Sequence, residues 1–360
     1  MTSRRAALTL PLVLALLTPG VAGATTLIGA PVGSPLRVLR PDLTARRGGP
    51  ALPRDTLATV LSPDRRRFAA LTRRRIVVFD RHSGRRVASL PAHGAIAAFW
   101  PERRRLVTFG FDSAGNEQLR SVLAETGRIT RRVRLAERLG AELGGTRVRV
   151  LQRTKSGLEL EAFAADGRRV RRHRFGLPPG VTPSFMGGSL RDGMVLLSRT
   201  TGAVAPYRHE LVPPGGAARP IALAGAVYRF VTPGIVADAE GKLAGLDRRT
   251  LTVRREVTDA PADWLTPFAG GVAVGLGRRL YDGHLALVAA NPSAPVAASP
   301  PVASGARLFA LTRRCTAAGP VLGAVAVAAR TGTVLARRSG AFVLGPLGGP
   351  VSESAEDPCD

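Results

Sequence analysis

Short apolar or alternating runs of five or six residues, rich in β-branched side chains, recur along this chain with turn residues between them. The clearest series is 57–61, 67–72, 75–80 and 85–90. Ser62-Pro63-Asp64 separates the first two runs and reads as a type I turn, with proline presetting φ and aspartate bonding locally. Ser83-Gly84 supplies a positive-φ position before the fourth run. Runs this short predict strands rather than helices, grouped here in fours. Weaker copies follow at 95–100, 106–110 and 119–124, at 148–151 and 158–163, at 194–197 and 203–211, and at 235–237, 243–246 and 250–257. The last copies are 272–276, 279–281 and 285–288, then 308–312 and 321–329. Turn markers before the last run of each unit fall at 83, 126, 166, 214, 248, 282 and 331, with gaps of 43, 40, 48, 34, 34 and 49. Their mean of about 41 is the length of one propeller blade.

The pattern therefore predicts an all-β fold, a β-propeller of seven four-stranded blades over 57–345. Six or eight blades stay open, because the fourth to sixth markers are the least regular. Residues 25–56 read as a Pro- and Gly-rich connector, from which 27–40 adds a strand that closes the ring and protects open edges. Residues 291–304 read as a second connector or insertion. Leu135, Leu139 and Leu143 have helical spacing, but Gly140 interrupts them, so 135–143 reads as a loop between blades. Residues 346–360 form an acidic C-terminal tail.

The first 24 residues have the pattern of a secretory signal peptide: Arg4 and Arg5, an apolar stretch over 6–17 too short to span a bilayer, and small residues before an expected cut after Ala24. Ala7 stands where a twin-arginine signal usually has Phe, which favours general secretion. The expected product is an extracytoplasmic, secreted monomer without a stable membrane span. The chain has 360 residues, 45% hydrophobic and 22% charged, enough to bury a core. Two cysteines exclude a small disulfide-stapled scaffold and a multi-cysteine metal site.

The stretch from Val77 through Asp80 and Gly84 to Arg85, together with Ser62-Pro63-Asp64, resembles blades of WD-repeat and quinoprotein-like propellers. The segment from His93 through Phe99, Pro101 and Leu106 to Asp112 is similar to one WD-repeat unit. The resemblance implies a propeller fold and a structural hydrogen-bond network that includes His93 and Asp112. No Trp-Asp dipeptide occurs, and position 90 is Leu where quinoprotein blades carry a docking Trp, which argues against a quinone cofactor. Propellers host unrelated functions, so the likeness speaks to architecture.

The formal charge is +26, with only two Lys against 50 Arg. Residues 27–175 carry 32 basic and 13 acidic residues against 18 and 13 in 176–360, so one arc of a ring built in chain order is strongly basic. Arg65–Arg67, Arg73–Arg75 and Arg103–Arg105 sit at predicted turns, and Arg168, Arg169, Arg171, Arg172 and Arg174 lie on or beside a strand. Two readings compete. One is a surface for polyanions such as a cell-wall phosphate polymer, an acidic polysaccharide or extracellular nucleic acid, with another protein as a further partner class. The other is an Arg-biased composition filling exposed turns. These runs lack the aromatic residues on which single strands stack. Export makes a Cys315–Cys359 disulfide the expected state; in the chain-entropy account it stabilises by roughly 4 kcal/mol and ties the tail to the last blade.

Candidate chemistry is sparse. None of the five His residues lies at metal-ligand spacing from another ligand type, so no metal and no cofactor is expected. The glycines from Gly270 to Gly277 lack a surrounding βαβ unit. Glu159 and Glu161 share a strand face, either as an acid–base pair or as solvent-facing carboxylates among arginines. Asp259 and Asp263 flank Trp264, which reads as a packing residue. No catalytic residue is assigned. The favoured function is an exported, non-enzymatic binding scaffold. The alternative is a propeller hydrolase or lactonase with its site at the central tunnel.

Overall fold

The computed structural model describes residues 26–353, apart from 48, 156, 176–182, 191–193, 201–206, 213–218, 224–228, 233, 238–241, 248, 251, 259–263 and 317–318. Among the described residues there is no α-helix, and none is therefore long and apolar enough to cross a membrane.

The strands form eight antiparallel sheets. Seven are consecutive four-stranded blades: blade 1 (56–91), blade 2 (95–134), blade 3 (137–175), blade 4 (183–221), blade 5 (229–257), blade 6 (265–290) and blade 7 (302–339). Within each, strands a to d follow in chain order. The a strands of neighbouring blades approach one another and surround the axis. The d strands form the exposed rim, as in blades 1, 2 and 7. The ab and cd turns lie at one end of each blade, and the bc turns and links to the next blade lie at the other.

Blade 8 is built from both ends of the chain. Its innermost strands are Ser352–Glu353 and Phe342–Pro346, and its outer three are Leu27–Pro31, Leu36–Leu39 and Ala51–Leu52. Leu27–Pro31 runs antiparallel to Phe342–Pro346 over five residue pairs, Leu27↔Pro346 to Pro31↔Phe342. The ring therefore has eight blades, not seven. All seven turn markers do fall between strands c and d of blades 1 to 7. The eighth unit has no such repeat because its strands are separated by the whole chain.

Each interface between neighbouring blades holds its own core, eight in all. Ile28, Leu36, Phe68 and Phe79 fill the 8–1 interface, and Leu27, Phe309, Phe342 and Leu344 fill the 7–8 interface. Phe68 and Phe79 stack with centroids 5.1 Å apart. After blade 8 the chain turns back along blade 1: Thr59 N–H donates to Gly349 O (2.9 Å) and Val351 N–H to Leu57 O (3.1 Å).

Two local expectations are corrected. Glu137–Gly144 is strand a of blade 3, not a loop. A register shift between Arg138 and Gly140 turns Leu139 toward the 3–4 core while Leu135 and Leu143 face the 2–3 core, and this slip mimics helical spacing. The supposed connectors 25–56 and 291–304 contain strands of blades 8 and 7.

Closure through Leu27–Pro31 predicts that Ala30→Cys/Val343→Cys, with the native cysteines replaced by Ser, forms a disulfide. Linking the chain across more than 300 residues should stabilise by up to about 5 kcal/mol, read as a higher denaturation midpoint in the oxidised form alone.

Candidate functional site

The turns are held by local hydrogen bonds to short polar side chains. Asp80 Oδ1 accepts from Ser83 N–H (2.8 Å) and His82 N–H (3.1 Å), and Asp282 Oδ1 accepts from His284 and Ala286 N–H, both 2.8 Å. Asp42, Asp64, Asp166 and Asp247 cap their turns the same way. Bonds from backbone and hydroxyl donors pull the Asp42, Asp64, Asp80 and Asp282 carboxyls below the ordinary range. These carboxylates are committed to backbone, and the flanking arginines point outward.

At the ab/cd end this produces an uneven surface. Arg40, Arg46 and Arg47 are exposed on the blade 8 loop between Leu36–Leu39 and Ala51–Leu52. Arg65 and Arg66, then Arg81 and Arg85, are exposed on the two turns of blade 1. Arg103, Arg104 and Arg128 in blade 2 and Arg168 in blade 3 continue the series. These turns are neighbours: Arg81 N–H donates to Arg66 O at 2.8 Å, Arg81 Nη2 to Thr26 Oγ1 at 3.1 Å, and Arg103 Nε lies 3.9 Å from Asp64. Eleven exposed arginines face Asp42, Asp64, Asp80, Glu102, Glu125 and Asp166. On the same turns of blades 5 to 7 the described charges are Arg249 and Arg330 against Asp247 and Asp282.

The nominated run on the rim of blade 3 behaves differently. Glu159 and Glu161 are 2% and 1% exposed, which corrects the solvent-facing one of their two readings. Strand c of blade 3, Gly157–Phe163, is covered on both faces, and its Glu-bearing face looks toward blade 2. Arg172 donates to Glu159 at 2.8 and 2.6 Å, and Arg174 Nε donates to it at 3.1 Å. Arg169 Nε lies 2.7 Å from Glu161, and Gln152 Nε2 donates to Glu161 at 2.6 Å. Burial pushes the Glu161 carboxyl up against the pull of Arg169 and Arg172. Arg169, Arg172 and Arg174 thus neutralise buried carboxylates, while Arg168 and Arg171 have no ion pair among the described residues. The signal was the sequence Leu158-Glu159-Leu160-Glu161, two carboxylates in an apolar strand, followed by arginines in register on the next.

At the opposite end of blade 2, Asp112 accepts from Ala114 and Asn116 N–H and from Gln118 Nε2 (3.0 Å). Gln118 accepts from the buried Arg120, whose other nitrogens donate to the carbonyls of His93 and Phe111. His93 enters this cluster through its backbone. His93 and Gly94 both have positive φ. A Cβ on Gly110 would collide with the Gly94 carbonyl oxygen, so only glycine fits that approach. Arg120 was not singled out from the sequence. Cys315 lies on strand Arg307–Thr316 of blade 7; Cys359, the signal segment, Asp259 and Asp263 lie outside the described residues. No group of three His, Cys, Asp or Glu side chains placed to hold a metal occurs among the described residues.

In fold the chain is similar to BamB from Moraxella catarrhalis, at 14% identity and TM-score 0.51, over 80% of this chain and 91% of that one. AztD from Citrobacter koseri in its apo form (12%, TM-score 0.43, 92% and 99%) and the WD40 domain of SCAP from fission yeast (12%, TM-score 0.44, 91% and 98%) are further propeller neighbours. No family model and no curated protein matches the chain.

Two outcomes follow from the ionic contacts. Glu159→Gln, which strips charge from two arginines, should cost about 1–2 kcal/mol in urea denaturation, and Glu161→Gln should cost less because burial already opposes that charge. The turn carboxyls titrate lower folded than unfolded, so their stabilisation is complete above the ordinary carboxylate range and is lost as pH falls through their lowered values. Asp80→Ala/Asp282→Ala should flatten the fall of melting temperature between about pH 4 and pH 2, measured at stepped pH.

Proposed function

We propose that this chain is an exported, non-enzymatic binding scaffold whose ab/cd end, across blades 8, 1, 2 and 3, binds a linear polyanion. The observation that carries the reading is the excess of exposed turn arginines there, over carboxylates already committed to turn backbones. Guanidinium groups form forked bonds with phosphate or sulfate oxygens, and side chains on several adjacent turns suit a polymer better than a single small anion. Of the arginine run of blade 3 only Arg168 lies on the turn: Arg169, Arg172 and Arg174 serve Glu159 and Glu161, and Arg171 sits within strand d. The described residues on these turns include no Trp, Tyr or Phe, which suits recognition of backbone charge rather than stacked bases.

Export and the Cys315–Cys359 bond belong to the same proposal. Glu353 pairs with Val343 and Cys315 pairs with Pro320, both toward the bc end of their blades. Six residues then reach at most about 20 Å, so such a bond would pin the tail at the end opposite the basic turns.

The test is binding of long-chain polyphosphate followed by fluorescence anisotropy. Affinity should fall steeply with salt. Replacing Arg65, Arg66, Arg103 and Arg104 by Ser should weaken it at least about tenfold at low salt, while Arg172→Ser/Arg174→Ser should leave it within about twofold. Equal loss in both variants would show that general charge, not this end, makes the contact.

A further inference from the structure

Blade 3 holds an ion pair where other blades manage without charge. Arg169 begins strand d, next to Arg168 on the cd turn, and lies against the buried Glu161 of strand c. A register shift between Ala162 and Phe163 passes over Val170 and turns Arg169 to the same side as Arg172. Blades 5 and 7 have the same shift. There Val253 and Val334 stand in the place of Arg169, and the fully buried Ala244 and Val325 in the place of Glu161. Blade architecture therefore requires no charge at either position, and an apolar pair would hold the blade as well.

The two partners differ in their access to water. The Glu161 side chain is 1% exposed and that of Arg169 is 45% exposed. Arg169 Nε lies 2.7 Å and Arg172 Nε 3.5 Å from Glu161 Oε1, yet neither N–H is directed at that oxygen. Arg172 Nε donates to Glu159 instead. Gln152 Nε2 donates to Glu161 Oε2, and Gln152 Oε1 accepts from Ala136 N–H at 2.9 Å. The charged neighbours of Glu161 are Glu159 on its own strand and Arg169 and Arg172 on strand d. Across the interface, Arg131 of blade 2 packs against Gly167 in the adjoining turn. One oxygen of Glu161 is thus held by charge alone, in a place where burial favours the neutral acid.

We infer that Arg169 is a further polyanion-binding residue, held in reserve by Glu161 and released to the basic turns when Glu161 takes up a proton from solvent. The inference rests on the polyanion reading and adds its regulation. Once Glu161 is neutral, the charge that retains the Arg169 guanidinium is gone, and the half-exposed side chain is free to turn toward Arg168. A phosphate or sulfate group of the polymer then replaces the carboxylate as its counter-charge. Proton and polymer favour each other by linkage: acid releases Arg169 to the polymer, and the polymer, by drawing Arg169 away, raises the proton affinity of Glu161. Glu159 has no such effect. Its outer partner Arg174 lies five residues further along strand d, about 17 Å toward the bc end.

Fluorescence anisotropy with long-chain polyphosphate tests it on the chain from Thr25 to Asp360, with urea unfolding to verify that each variant keeps its fold. Glu161→Gln and Glu159→Gln remove the same charge, so a general field effect treats them alike. At about pH 7.5 and low salt, Glu161→Gln should bind at least about fivefold more tightly than the parent, with a salt slope steeper by about one. Glu159→Gln should stay within about twofold of the parent, and Glu161→Gln/Arg169→Ser should lose the gain. The parent should gain affinity as pH falls from about 7.5 to about 4.5, and Glu161→Gln should gain less over the same range. Equal gains in the two Gln variants overturn the inference and leave the polyanion reading standing. So does a gain that survives Arg169→Ser, or a pH response that is the same in the parent and in Glu161→Gln. Absence of polyphosphate binding in the parent and in every variant removes the reading and the inference together.

Discussion

Every blade in this ring has two apolar faces, and each face is covered only by the next blade. The eight cores form a circuit rather than a single centre, so opening the ring at one place bares two faces at once. The circuit closes where Leu27–Pro31 pairs with Phe342–Pro346, segments separated by more than 300 residues. Closure therefore waits for the last strands to be present, a contact order that makes folding slow. Residues 347–351 add a second tie by running back along strand a of blade 1.

Within that frame the polar residues divide by position. Aspartates sit at the turns, where N–H groups need acceptors, and hold the hairpins tight. The buried carboxylates of blade 3 take arginines from the neighbouring strand. Arginines on the turns have no such duty and accumulate at one end of blades 8 to 3. The charge asymmetry of the sequence thus becomes an asymmetry in space because the blades follow chain order around the axis.

Much of this was legible beforehand. Turn chemistry such as Ser62-Pro63-Asp64 and Asp80 through Gly84 marks the hairpins directly, because only a few residue types suit those backbone angles. The eighth blade escaped the repeat count because its strands lie at both ends of the chain; a ring-closing strand was read within 27–40, but Pro31, Pro35, Pro41, Pro50 and Pro53 give the rest of 25–56 the composition of a linker. The first strand of blade 3 was hidden by a register slip at Gly140. Glu159 and Glu161 were misplaced because a carboxylate defaults to solvent unless its cross-strand partners are known, and Arg172 and Arg174 become partners only once the register Glu161↔Arg172 and Glu159↔Arg174 is fixed. Arg120 escaped notice because its partners are backbone carbonyls, which carry no sequence signature.

Amide hydrogen exchange in native conditions tests the closed eight-bladed ring most directly. The account predicts that the Leu27–Pro31 and Phe342–Pro346 amides facing each other exchange slowly and with one common opening free energy, close to that of the blade 1 strands Arg67–Thr72 and Arg75–Asp80. Rapid exchange across 27–39, with protection confined to blades 1 to 7, would mean a seven-bladed ring with a free N-terminal segment and would contradict it.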